Sequence, residues 1–260
     1  MPESGPFHWN GLFFYHYIRG MKHTVEVIAT TVHDALEAKA GGADRLEVCC
    51  ALSTGGLTPS PFLFLEIKKA VDLPLFVLIR PREGDFIYSE KEMDVILADI
   101  AWFKNAGASG IVCGVNTPEG EVDIEKMTRI VDAAGDLPVT FHRAIDVCVD
   151  PIASLEDVID LGCARVLTSG GRPKLDMTGI AVVHEMAEIA AEANVIILPG
   201  GGINKDNIEL LLEHPYIIEY HHSAKKLVTS PIQTDVYESN YHCVDKGRVR
   251  LEIRNLEFGD

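Results

Sequence analysis

The stretch Thr140-Phe-His-Arg-Ala-Ile-Asp146 puts an imidazole, a guanidinium and a carboxylate close together, a grouping suited to proton transfer beside an oriented charge. Glu26, Glu47 and Glu219 sit inside short runs that are otherwise apolar and β-branched. A carboxylate buried without a partner costs on the order of several kcal/mol, so these three must face a shared polar interior. Arg80 closes the run Leu75–Ile79 and Arg82 follows it. Pro199-Gly-Gly-Gly-Ile203 offers a backbone that can approach a ligand closely and aim N–H groups at an anion. Thr168-Ser-Gly-Gly171 supplies further small donors. The chemistry this predicts is enzymatic, on a small anionic or phosphorylated metabolite. Glu47, Arg80, His142 and Asp146 form the catalytic set; Arg82, Ser169, Gly200, Gly201 and Gly202 form the anion site.

Two blander readings stand beside this one. Glu26, Glu47, Arg80 and Arg82 would make an internal ion-pair network that only rigidifies the fold. A catalytically silent scaffold would present its surface to a partner instead.

The elements that must position these groups repeat. Eight short strand-like runs are evident: Val25–Ala29, Arg45–Cys49, Leu75–Ile79, Gly110–Cys113, Pro138–His142, Arg165–Thr168, Val195–Leu198 and Ile217–His221. Between them lie helical patterns over Val32–Ala40, Ser60–Val71, Ser89–Ala106, Asp123–Ala134, Pro151–Leu161, Thr178–Ala193 and Lys205–Glu213. Gly41-Gly42, Gly107, Gly135 and Gly162 stand where helix ends take a left-handed residue, and Ser89 with Glu92 reads as a capping box. The first βα turn, Thr30-Thr-Val-His, lacks the glycines of a dinucleotide-binding open sheet. The repeat therefore predicts a single-domain α/β fold, a (β/α)8 TIM barrel over residues 25–229, with an N-terminal extension (1–24) and a C-terminal tail (230–260). In that tail Arg248–Ile253 is strand-like. In such a barrel the strand ends that carry Arg80, His142 and Ser169 form the reactive rim, with Glu47 inside it.

Composition narrows the partners. The 260 residues carry 23 Lys and Arg against 39 Asp and Glu, a formal charge of −16, which would repel nucleic acid and an anionic membrane surface. No apolar run approaches the roughly 20 residues that span a bilayer. Gly11–Ile18 lacks the basic flank of a signal peptide, and Met21 offers an alternative start. Six cysteines without a CxxC or a regular framework indicate reduced thiols and a cytoplasmic address. No lysine lies in a strand or at its end before Lys225, which argues against a Schiff-base aldolase, and no HExxH supports a hydrolytic zinc site.

Several ungapped blocks resemble the CutC copper-homeostasis family. They are Gly42-Ala-Asp-Arg-Leu-Glu-Val-Cys49, Gly55-Gly-Leu-Thr-Pro-Ser60, Ile79-Arg-Pro-Arg-Glu-Gly-Asp-Phe-Ile-Tyr-Ser89, Val139–Asp146, Arg165-Val-Leu-Thr-Ser-Gly170 and Pro199–Ile203. The resemblance runs from about Val25 to Ala224. It implies a cytosolic barrel that forms homo-oligomers, is linked to copper handling, and binds Cu(I) through a second-strand cysteine, here Cys49. A soft monovalent ion prefers thiolates, which makes that assignment chemically sensible. The first strand departs from the family pattern: Glu26-Val-Ile-Ala-Thr30 has no cysteine to partner Cys49. Adjacent strand residues face opposite ways, so Cys50 cannot replace it, and His221, His222 or a cysteine of a second subunit are the substitutes within reach.

Overall fold

The computed structural model describes residues 23–249 apart from 205, 233–235, 237 and 238. The N-terminal extension up to residue 22 and the tail beyond residue 249 lie outside the described residues.

Strands β1 (Thr24–Ala29), β2 (Arg45–Val48), β3 (Leu75–Leu78), β4 (Gly110–Cys113), β5 (Val139–Phe141), β6 (Arg165–Thr168), β7 (Ile196–Pro199) and β8 (Glu219–His222) follow the expected runs to within a residue or two. All neighbouring pairs are parallel, in the order β7-β6-β5-β4-β3-β2-β1-β8. β7 packs beside β8, closing a (β/α)8 barrel. The helices between strands are α1 (Val32–Ala40), α2 (Pro61–Ala70), α3 (Glu90–Asn105), α4 (Ile124–Ala134), α5 (Pro151–Asp160), α6 (Met177–Glu192) and α7 (Ile208–Leu212). The capping box at Ser89 and Glu92 is formed. Gly42, Gly107, Gly135 and Gly162 have positive φ, whereas Gly41 is right-handed and owes its place to a different constraint.

Alternation along each strand sorts the side chains. Val25, Val27 and Ala29 of β1, with Leu46 and Val48 of β2, pack outward against the helices in the main core. Ile28, Cys49, Phe76, Leu78 and Val112 form a separate apolar cluster inside the barrel. At the N-terminal ends of the strands the interior is charged. Arg45 bridges Glu26 and Glu219, Arg165 joins Glu219, and both guanidinium groups lie over the Phe76 ring at 4.7 and 5.1 Å. The inward turn of Glu26 and Glu219 follows from this arrangement, because arginine neutralises them there; Glu47 also points inward but has no arginine partner among the described residues.

The tail, whose structure the sequence leaves open, takes a definite form up to residue 249. After β8 the chain forms an antiparallel hairpin of β9 (Lys225–Val228) and β10 (Tyr241–Val244), then a helical turn, α8 (Lys246–Val249). Arg248 is therefore helical rather than extended, and the boundary drawn between 229 and 230 falls inside the hairpin.

Candidate functional site

A cavity of about 990 Å³ opens at the C-terminal ends of the strands. Glu47, His142, Arg143, Gly201, Gly202, His221, Lys225 and Arg248 all line it, among others. Side chains far apart in the sequence, from Ile28 to Arg248, thus converge on one mouth because the barrel brings every strand end to one rim.

Its inner wall is a proton-sharing group. Glu26 and His221 are register partners across β1 and β8, and His221 Nδ1 lies 2.7 Å from Glu26 Oε1. The other oxygen of Glu26 accepts from Arg45 Nε. Burial alone would raise the Glu26 carboxyl, but the His221 hydrogen bond and the Arg45 and His221 charges outweigh it, so Glu26 is held well below the usual carboxylate range. Burial works against a charged His221, yet the nearby Glu47 and Glu26 raise its basicity. Glu47 lacks such support: burial pushes it up to about 7, with the Glu26 charge adding, and its Oε2 has no hydrogen-bond partner among the described residues. A carboxyl poised near neutrality in a cavity is suited to general acid–base work.

His142 has a dual position. Its Nδ1 accepts the Ala144 N–H at 3.2 Å, capping the 3-10 turn Arg143–Val147, which leaves the proton on Nε2. Burial, with Arg80 adding, lowers its pKa to about 3, so the ring is neutral and its buried Nε2–H is an unpaired donor among the described residues.

The glycine turn and Arg143 make the anion-binding side. Gly201 and Gly202 have φ of 79° and 125°, conformations that side chains disfavour. Their amides donate to no acceptor among the described residues, while Leu175 N–H takes the Gly201 carbonyl. A Cβ on Gly201 would stand 3.1 Å from Arg143 Nη1, so the guanidinium rests against the turn. It is held there by Asp146 on Nε at 2.7 Å and by Ser169 Oγ and the Arg172 carbonyl on Nη2 at 2.7 and 2.8 Å. Asp146 also accepts from Thr168 Oγ1 and from the Ser169 and Gly171 amides. Its oxygens are thus fully engaged, and it positions Arg143 rather than facing a ligand.

Besides Asp146 and Ser169, four more sequence candidates sit differently from their expected places. Arg80 spends its donors on the carbonyls of Thr54, Gly56 and Gly84 and lies 5.0 Å over the Phe86 ring, which packs against His142 at 4.7 Å. It ties two rim loops together. Arg82 pairs with Glu92 and Asp85 and is not among the residues lining the cavity. The internal ion-pair network therefore uses Arg45 and Arg165, not Arg80 and Arg82. Gly200 is committed through its amide to the Thr168 carbonyl at 2.9 Å. Cys49 belongs to the apolar interior cluster, and burial raises its thiol far above the ordinary range. Lys225 and Arg248 lie outside the residues that the sequence points to; Arg143 stands within the quoted motif Thr140–Asp146, and the sequence names His221 only as a substitute metal ligand.

Metal-ligand chemistry was tested on the same residues. Among the described residues, Glu26, Glu47 and His221 are the one group of three potential donors, lying within 4.8 Å of one another. Both Glu26 oxygens are taken by Arg45 and His221, and no thiol joins the group. Carboxylate oxygens suit a soft Cu(I) ion less well than thiolates do, and copper binding at Cys49 would have to displace the proton that burial holds on its thiol.

Comparison with known proteins follows the same lines. A CutC family model matches residues 23–226, most of the chain. The chain belongs to the CutC family. A CutC family protein of Xylella fastidiosa (strain Temecula1) is 42% identical over 248 residues, covering 92% of this chain and 91% of its own. The human protein named copper homeostasis protein cutC homolog is 42% identical over 201 residues, covering 77% of this chain and 73% of its own. A crystal structure titled for CutC of Streptococcus agalactiae superposes with a TM-score of 0.72 at 26% identity, covering 77% of this chain and 98% of the other. This CutC family member thus shares its barrel with its relatives, and copper homeostasis is the role that their names carry. Among the described residues, no helix is long and apolar enough to cross a membrane.

Proposed function

We propose that this CutC family protein is an enzyme that binds a small anionic metabolite, phosphorylated or carboxylated, at the C-terminal mouth of the barrel. The observation that carries this reading is the Arg143 guanidinium held against the Gly201–Gly202 turn in the same cavity as Glu47 and His142. Arg143 and the two free amides hold the anion, the role that Arg80 and Arg82 were expected to fill. Glu47 gives or takes a proton, and the neutral His142 donates a hydrogen bond from Nε2 to a substrate oxygen. Asp146, Ser169 and Arg80 position these groups. All six cysteines are unpaired, which supports a cytoplasmic address, and the family resemblance supports a homo-oligomer.

Copper binding through Cys49 is the competing reading, supported by the names of the relatives. The two separate cleanly. A thermal-shift screen of phosphorylated and carboxylated metabolites should find a ligand whose stabilisation disappears in Arg143→Ala. If no anion stabilises the protein while Cu(I) binds with high affinity and Cys49→Ser abolishes it, the enzyme reading fails.

A further inference from the structure

The acidic chain brings a second cation to the cavity from an unexpected place. Arg248 lies in the C-terminal segment, beyond the residues 23–226 that the family model matches, yet it lines the cavity beside Lys225.

The segment is docked by specific contacts, of which the bond from Val244 to Asp34 is buried. Val244 N–H donates to the fully buried Asp34 at 2.7 Å, and Asp34 also holds Thr30. His222 Nε2 meets the Val249 carbonyl at 3.0 Å; since a carbonyl only accepts, the imidazole donates. Arg248 Nη1 donates to the Lys225 carbonyl at 2.7 Å, and Asp245 N–H to that of Ala224 at 2.9 Å. Val249 is buried against the end of α1. A Cβ on Gly41 would stand 2.6 Å from both the Lys246 carbonyl and Val249. That explains a glycine in a right-handed conformation: the space is needed by α8, not the freedom of φ.

The contacts of Val244, Asp245 and Val249 fix the backbone around Arg248; its exposed side chain gives Nη1 to the Lys225 carbonyl and forms no ion pair among the described residues, the nearby Asp245 being paired with Lys226. Lys225, by contrast, is held by Thr30 and lies 3.6 Å from Asp34. The free charge on this side of the mouth therefore belongs to Arg248. It stands above the β8–β1 seam, whereas Arg143 and the glycine turn stand at the ends of β5 and β7.

We infer that Arg248, delivered by the C-terminal strap, is a second anion anchor of the cavity, so that the ligand carries two separate anionic groups. One group meets Arg143 and the Gly201–Gly202 amides, and the other meets Arg248. This rests on the proposed anion-binding function and adds the ligand's second charge and the residue that selects for it.

Calorimetric titration of the whole chain with three probes tests the inference: inorganic phosphate, glycerol 3-phosphate and 3-phosphoglycerate. The wild type should bind 3-phosphoglycerate at least about tenfold more tightly than glycerol 3-phosphate, the worth of one extra charge-assisted contact. Arg248→Ala should lower the 3-phosphoglycerate affinity by about that factor and leave glycerol 3-phosphate unchanged. Arg248→Ala gives up only the bond to the Lys225 carbonyl while Val244, Asp245 and Val249 keep the strap docked, and Gly41→Val, which blocks that docking, should reproduce the effect. Equal affinities for the two organic probes, or an Arg248→Ala variant that matches the wild type on 3-phosphoglycerate, would overturn the second anchor while leaving the first in place. Failure of all three probes to bind the wild type would overturn both.

Discussion

Glu26 and His221 face each other as register partners where β1 meets β8, with Oε1 and Nδ1 2.7 Å apart inside the barrel. This contact settles the protonation pattern of the inner wall. Arg45 and His221 stabilise the Glu26 charge, and Glu47 is left as the carboxyl that must be neutral for part of the accessible pH range.

Glu47 therefore makes stability depend on pH in a defined direction. Its folded pKa, about 7, lies above the ordinary 4.5, so the native state binds the proton more tightly than the unfolded chain. Its contribution is most favourable below about pH 4.5 and is lost as pH rises through 7. Glu47→Gln should gain stability relative to the wild type between pH 5 and pH 8, by up to about 3 kcal/mol. Denaturant unfolding at the two values checks this, and a difference independent of pH would contradict it.

His142 should produce the opposite slope. Its folded pKa, about 3, lies below the ordinary 6.5, so the native state excludes a proton that the unfolded chain accepts. Stability contributed by the neutral ring is present above pH 6.5 and falls as the solution is acidified towards 3. His142→Gln should flatten the acid limb of the stability profile, measured by thermal unfolding between pH 7 and pH 4.

Arg45 is the keystone of the charged floor. Arg45→Met leaves buried Glu26 with His221 and Glu219 with Arg165 but without their shared cation, and should cost about 3–5 kcal/mol in chemical denaturation. The same change combined with Glu26→Gln and Glu219→Gln should cost clearly less, since the carboxylates that lost their shared cation are gone.

Cys49 should be inert towards copper and alkylating agents in the native state. In an anaerobic competition titration, Cys49→Ser and the wild type should hold Cu(I) equally; a loss of affinity in the variant would restore the thiol as a ligand.

The barrel was legible because its signals are local and repeated: β-branched runs recur at each unit, and glycine helix stops follow several of the helices, with one capping box at Ser89 and Glu92. The inward carboxylates were legible too, since a charge inside an apolar run needs a polar interior. What each cation does was not. Arg80, Arg82 and Arg143 all stand at strand ends, and only the loops they meet decide that Arg80 staples carbonyls, Arg82 pairs with Glu92, and Arg143 faces the glycine turn. Arg248 was out of reach because nothing local tells that a tail beyond the repeat folds back over the first helix. Gly41 carried that information, but a helix-ending glycine is read first as a backbone device.

The central claim is that the Arg143 guanidinium and the Gly201–Gly202 amides form one anion-binding surface. Amide-resolved NMR during titration with glycerol 3-phosphate measures it directly. The Gly201 and Gly202 resonances should move together and saturate in the wild type, and stay still in Arg143→Ala. Perturbations confined to other parts of the molecule, or the same glycine shifts in the variant, would contradict it.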